Sequence, residues 1–505
     1  MVTACYSPNE PLVVEPGGDE SSTSEQSTDQ SPETGAMTPE TGSMDGTVPT
    51  TGPADSSSTD ATDDTGEPAQ CGDGRVEGTE VCDDTVNDGS YGGCLPDCSG
   101  LGPRCGDGVL QDPEVCDDEN ATNGDGCNND CIASATPLWT VVFDGAVHGP
   151  DSTLGIAVGA DGDVVAVGLE ALDDAAIESQ AWIHRYDPAG NLLWDETYAG
   201  PTDDRGSAAG VDVDQDGRAH VAGHYRAASS FNVWARGYDA DAQVGYTHVF
   251  GEGATNEERG RAIGVGLDGR AAVAGYEVRN DLGEEGNIWL RRLDTDGTEM
   301  WTRTHHGGAD DRAYGVSVGE DQAIVVVGYS EDASTRNIWV RRYDANGAEE
   351  WTQTFDSGAS DIANGVAVDS EGRAFVTGTS DGDIWVRAYD IDGAELWTDV
   401  FDSGNVSKFY SDAGNAVAVD GSDTVVVAGT ALDGDGFSTK PWLRKYTPDG
   451  DWLWTWQEYP LPSVDGAVVR CQGLAVSMAG DGTVVVGGQN VDGSQSDAWL
   501  MALTP

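Results

Sequence analysis

From residue 138 to the end of the chain, short apolar runs recur with a period of about 50 residues. In each period one run alternates apolar with small or polar positions, as in Gly365-Val366-Ala367-Val368, and the next is apolar almost throughout, as in Ile324-Val325-Val326-Val327-Gly328. Alternation predicts a strand with one covered face, and a short continuous apolar run predicts a strand covered on both. A third run carries a tryptophan, at Trp182, Trp234, Trp289, Trp339, Trp385, Trp442 and Trp499, usually in a phrase such as Ile338-Trp339-Val340-Arg341-Arg342-Tyr343-Asp344. A turn such as Asp344-Ala345-Asn346-Gly347 follows, whose glycine can take the positive φ that closes a hairpin. The fourth run has its own aromatic, at Trp194, Tyr246, Trp301, Trp351, Trp397 and Trp454. Four strands per repeat predict an all-β fold built of propeller blades.

The fourth strand also predicts how the ring closes. A seventh copy, Leu138-Trp139-Thr140-Val141-Val142-Phe143, stands alone at the start, and the last repeat ends after Trp499 without one. The first strand is therefore expected to complete the last blade, which gives seven four-stranded blades over 138–505 and removes an exposed edge. These phrases resemble the bacterial propeller repeats of the delta-60 and related families. The resemblance covers all of 138–505 and implies an architecture without implying a reaction, since propellers host many functions.

Ahead of the repeats lie segments of different composition. Residues 6–70 are mostly Ser, Thr, Asp, Glu, Pro and Gly, and they repeat Pro32-Glu33-Thr34-Gly35 at Pro39-Glu40-Thr41-Gly42. Such a segment lacks the apolar surface to offset ordering entropy, so a disordered tether is expected, with a reach of about 40 to 50 Å. Two small modules follow. The first, 71–98, holds Cys71, Cys82, Cys94 and Cys98; the second, 105–131, holds Cys105, Cys116, Cys127 and Cys131, at nearly the same spacings. Neither is large enough for a core, so disulfides must staple it, in a connectivity that spacing leaves open. The phrases Cys105-Gly106-Asp107-Gly108, Glu114-Val115-Cys116-Asp117-Asp118 and Gly124-Asp125-Gly126-Cys127 resemble the myxobacterial cysteine-rich repeat; the first copy departs from it at Tyr91-Gly92-Gly93-Cys94. That family occurs in secreted and surface proteins.

Eight closely spaced cysteines imply an oxidising compartment. Residues 1–5 suggest a route there, because Val2-Thr3-Ala4-Cys5 resembles the end of a bacterial lipoprotein signal, with Cys5 as the lipidated residue and Met1 as an internal start. The expected location is the cell envelope, at the outer-membrane surface, or the exterior. Ninety acidic against 25 basic residues give a net charge of −65. This argues against nucleic acid and leaves a lipid at Cys5 as the link to a membrane.

Candidate chemistry is sparse. Asp83, Asp84, Asp117 and Asp118 are weak calcium candidates whose alternative role is to build turns, and no other cofactor is expected. Asp212-Val213-Asp214-Gln215-Asp216-Gly217 opens like a calcium loop but has Gly223 where a bidentate Glu belongs. His220 and His224, about 13 Å apart on a strand, are too distant to share a metal. Cys471 is expected to be an inert core residue. Arg236, Arg291, Arg341, Arg387 and Arg444 recur two residues after the blade tryptophan, and Asp151, Asp311, Asp361 and Asp412 recur before the alternating strand. These two columns are expected to pair with each other.

The resulting expectation is a monomeric, non-catalytic envelope or secreted protein whose propeller binds an unidentified protein or glycan. Two alternatives stand beside it. Asp-x-x-Gly-x-x-x-Trp phrases resemble the lipoprotein scaffold of outer-membrane assembly, and the same Trp-turn phrase occurs in quinoprotein dehydrogenases, whose calcium and quinone ligands have no visible counterpart here.

Overall fold

The computed structural model describes residues 70–505, apart from residues 77, 146 and 148 and the stretches 174–177, 202–204, 228–229, 252–255, 280–284, 333–334, 405–410, 434–437, 458–468 and 493–494, together with the backbone of Glu15–Pro16. Cys5 and nearly all of the expected tether lie outside the described residues. Among those described, no helix is long and apolar enough to cross a membrane.

The repeats form seven blades of four antiparallel strands. Blade 1 runs Ser152–Val158, Val164–Ala171, Ser179–Tyr186 and Leu192–Tyr198, and the following repeats do the same in order. Blade 7 consists of Val469–Met478, Val484–Asp492 and Gln495–Leu503, and its fourth strand is Pro137–Phe143, with Val142 opposite Trp499. The closure expected from the unpaired first strand is thus observed.

Stacked blades cover each other's faces, which accounts for second strands that are apolar at almost every position. Buried side chains separate into seven clusters, one at each interface between neighbouring blades. Stability is therefore distributed around the ring, each blade depending on its two neighbours. The blade tryptophans lie at the centres of these clusters, between 0 and 4% exposed. The last aromatic of one outer strand packs on the tryptophan of the next blade: Phe143 on Trp182, Tyr198 on Trp234, Phe250 on Trp289, Phe355 on Trp385 and Phe401 on Trp442. His305 takes the aromatic place against Trp339, stacked at 5.1 Å.

The arginine and aspartate columns do not pair with each other. Each carboxylate folds back on the backbone around it: Asp151 accepts from Gly145 and Ala171, Asp412 from Ser403 and Leu432, and Asp361 from Ser357. Arg341 instead bonds to Glu349 and Thr352 and Arg387 to Glu395 and Thr398 of their own blade's outer strand, whereas Arg444 bonds to Thr455 of its own blade and to Asp399 of the preceding one. Arg291 lies 3.9 Å from the ring centroid of Phe250, and Arg387 lies 4.6 Å from that of Phe355. They pair this way because the outer strands of the same blade and of the preceding one are nearer than the loop where the aspartates sit.

Both cysteine modules are stapled in the same nested way, Cys71–Cys98 around Cys82–Cys94 and Cys105–Cys131 around Cys116–Cys127. The chain divides into two compact units. The first module belongs to the unit spanning 18–104, and the second module packs with the propeller. Ala135 is fully buried in the cluster between blades 6 and 7, the Thr504 amide donates to the Thr136 carbonyl, and the Thr136 amide donates to Oγ1 of Thr504. Cys471 is also buried in that cluster and is disulfide-bonded rather than an isolated thiol.

Candidate functional site

Neighbouring strands in a blade are antiparallel, so the first-to-second and third-to-fourth connections emerge on one face of the ring and the remaining connections on the other. On the first face every turn has the same length, five residues, as between Val158 and Val164 or between Tyr343 and Glu349. Each of the third-to-fourth turns of blades 1 to 6 fits under an outer-strand aromatic of the preceding blade. Gly190, at φ 81°, lies against the ring of Trp139, whose Nε1 donates to the carbonyl of Pro188 at 3.0 Å. The second module docks on this turn face, where Gly124 lies against Lys445 and Pro505. On the opposite face the connections range from two residues, between Ser380 and Asp383, to eleven, between Phe401 and Ala413. Variable connections on a constant frame are where binding residues concentrate.

The inner strands enter the channel from that variable face, and each carries a β-bulge at the same place. The register shifts between Thr153 and Gly155, Ala208 and Gly210, Gly260 and Ala262, Ala313 and Gly315, Ala363 and Gly365, Gly414 and Ala416, and Gly473 and Ala475. A bulge re-aims the extra side chain. Here the seven extra residues, Leu154, Ala209, Arg261, Tyr314, Asn364, Asn415 and Leu474, all line one central cavity of about 160 Å³. The position after each bulge is Gly or Ala because the inner strands crowd at the axis: a Cβ on Gly155 would stand 3.2 Å from the Cα of Gly210.

The ring of bulged residues is two-sided. Blades 3 to 6 contribute Arg261, Tyr314, Asn364 and Asn415, and blades 7, 1 and 2 contribute Leu474, Leu154 and Ala209. Asn364 and Asn415 each donate one amide hydrogen to the next blade, to the carbonyls of Gly414 and Gly473, both at 2.8 Å. Arg261 makes no hydrogen bond or ion pair among the described residues, and its Nε is buried without an acceptor. It stands over Tyr314, 5.4 Å from the ring centroid. Beside it, His224 accepts from Nη1 of Arg259 at 3.1 Å, and burial together with the Arg259 and Arg261 cations pushes its imidazole down to about 3. His224 is neutral at physiological pH. His220, four positions earlier on the same strand, bonds to Asp214 and Tyr246 and shares no partner with His224.

The aspartates considered for calcium accept hydrogen bonds from the modules' own amides. Asp83 accepts from Thr85, Gly72 and Asp73, which hold its carboxyl at about 2, and Asp117 accepts from Glu119, Gly108, Asp107 and Gly106. Asp84 accepts from Val86, Asn87 and Cys94, and Asp118 from Cys127. These bonds are of the turn-building kind, and Oδ1 of Asp118 is buried without a partner among the described residues. A carboxylate group that the spacing gave no sign of lies on the variable face, where Asp383, Asp402 and Asp412 bring oxygens within 4.8 Å of one another. Burial, then the charges of Asp402, Asp412 and Asp381, raise the Asp383 carboxyl.

The fold and its N-terminal modules define the class: a seven-bladed β-propeller protein with disulfide-stapled domains ahead of the ring. Residues 350–384 match the beta-propeller repeat family. No curated protein matches the chain. Solved structures similar to it include Sqt1 of Chaetomium thermophilum, at 14% identity and a TM-score of 0.43, covering 73% of this chain and 97% of that one. Others are TolB of Acinetobacter baumannii, at 13% and 0.33, covering 58% and 63%, and the acylaminoacyl peptidase of Pyrococcus horikoshii, at 12% and 0.38, covering 68% and 52%.

Proposed function

We propose that this is a non-catalytic binding protein of the cell envelope or exterior, recognising a protein or glycan with the variable-loop face and the channel mouth it surrounds. The observation that carries this is the bulge repeated in all seven inner strands, which directs a column of residues of varied size and charge into the central cavity of the ring. The opposite face is built of equal turns and holds the second module, so it has the character of a mounting surface. The four disulfides of the modules favour an oxidising compartment.

Two experiments test this. Capture of proteins from envelope extracts, and of sugars on a glycan array, is compared for the wild type, for a loop-face variant (Tyr314→Ala with Arg336→Ala) and for a turn-face variant (Asp241→Ala with Asp392→Ala). Loss of capture in the loop-face variant alone is expected; loss in the turn-face variant alone would overturn the assignment of faces. Anchoring is tested by mass spectrometry of the N-terminal peptide. One sulfur cannot carry both a thioether and a disulfide, so a lipid on Cys5 supports the anchor and a Cys5–Cys471 linked peptide rejects it.

A further inference from the structure

We propose that the channel mouth binds a small organic acid with a short apolar tail, its carboxylate on Arg261 and Tyr314 and its tail against Leu474, Leu154 and Ala209. The inference rests on reading the variable face as the recognition face and names the ligand class for its central cavity.

The argument begins with charge. With 90 acidic and 25 basic residues, an arginine here commonly has a carboxylate partner, and others bond to hydroxyls or carbonyls, as Arg236 and Arg303 do. Those beside Arg261 have a carboxylate partner: Arg259 pairs with Glu257 and Arg312 with Asp310. Arg261 has no carboxylate partner among the described residues, and its buried Nε lacks an acceptor. Leaving a guanidinium donor unsatisfied is costly unless an acceptor arrives from outside. Arg261 lines the cavity together with Tyr314, so the cavity is the route by which an acceptor reaches it in this proposal. The hydroxyl of Tyr314, one blade along, is a second donor of the kind a carboxylate takes.

The other half of the ring selects the rest of the molecule. Leu474, Leu154 and Ala209 occupy three consecutive blades and offer no hydrogen bond, so they favour an apolar tail over a hydrated inorganic anion. A cavity of about 160 Å³ has room for a handful of non-hydrogen atoms rather than a long chain. The −65 net charge repels anions in general, so a saturable carboxylate signal reports a site rather than loose adsorption.

Isothermal titration of the full chain at pH 7 is run with sodium isovalerate, with isoamyl alcohol and with inorganic phosphate. Saturable binding of isovalerate alone is expected. Arg261→Gln should weaken it about tenfold or more, as loss of a charge-assisted bond implies, and Tyr314→Phe by a smaller factor. Arg261→Lys, which keeps the charge, should retain part of the affinity and serves as the check that the pocket survives substitution. Equal binding by wild type and Arg261→Gln, equal binding of alcohol or phosphate, or no saturable isovalerate binding would each overturn the proposal. If isovalerate fails while loop-face variants still lose partner capture, the acid site falls and the recognition face stands.

Discussion

Phe143 and Trp182 lie 39 positions apart in the chain and face each other across the seam of the ring, with ring centroids 5.5 Å apart. The contact reproduces, where the first strand meets the first blade, what Phe401 and Trp442 make between blades 5 and 6 at 5.2 Å. Closure therefore uses the same chemistry as every ordinary interface that has such a pair. Phe143→Ala should lower stability by about 2 to 3 kcal/mol, since the side chain is only partly buried. Deleting 137–143 should do more, by opening the seam and exposing the edge of Gln495–Leu503 to other chains. Denaturant titration and light scattering would read the two effects, and a deletion that stayed monomeric and fully stable would contradict the seam.

Adjacent arginines on one strand should differ sharply. Arg342 is 1% exposed and joins Asp321 and Glu350 to the carbonyl of Gly372 in the next blade. Arg341, on the other side of the sheet, bonds to exposed Glu349 and to Thr352. Arg342→Ala should cost about 2 to 3 kcal/mol, because it removes buried packing and strands a carbonyl between blades. Arg341→Ala should cost about 1 kcal/mol or less. Equal costs in thermal denaturation would mean that the interblade bond of Arg342 adds nothing.

Stability should fall as pH rises from 4 to 6. Burial raises the carboxyls of Asp212 and Asp151 to about 6, against the donors Val265 and Val213 at the first and Gly145 and Ala171 at the second. An acid whose folded pKa is raised binds its proton more tightly when folded. Its contribution is favourable below the unfolded value near 4 and is lost as pH climbs through about 6. Asp212→Asn should flatten the slope over this window, read as denaturation midpoints from pH 4 to 7. An unchanged slope would remove Asp212 as a source.

Asp383→Asn should stabilise the protein. Asp383 shares its surroundings with Asp402 and Asp412, and their charges add to burial in raising its carboxyl. Relieving like-charge repulsion at a part-exposed site is worth about 0.5 to 1 kcal/mol. A lower melting temperature in metal-free buffer would show that the three carboxylates help one another, contrary to this expectation.

Much of the architecture was legible in the chain because it is periodic. The column from Trp182 to Trp499 and the solitary copy from Leu138 to Phe143 specify blade count and closure, since each blade buries the same face in the same way. The candidate site was less legible. Aligned, the inner strands keep small residues at Thr153 and Gly155 and apolar ones at Ile156 and Val158, while the column of Leu154, Arg261, Tyr314 and Asn364 varies in size and charge. That irregularity was the available signal. It says nothing of direction, because a period-two pattern cannot reveal the extra residue of a bulge.

Sequence by itself determined the repeats, their strands and the latch, all consequences of local alternation and copy number. Only the tertiary structure decided which carboxylates meet which arginines, how the cysteines nest and where Arg261 points. Those depend on distances in space that the repeat does not encode, from cysteines 11 to 27 positions apart to Arg444 and Asp399, in neighbouring blades and 3.0 Å apart, and burial and ring closure set such distances.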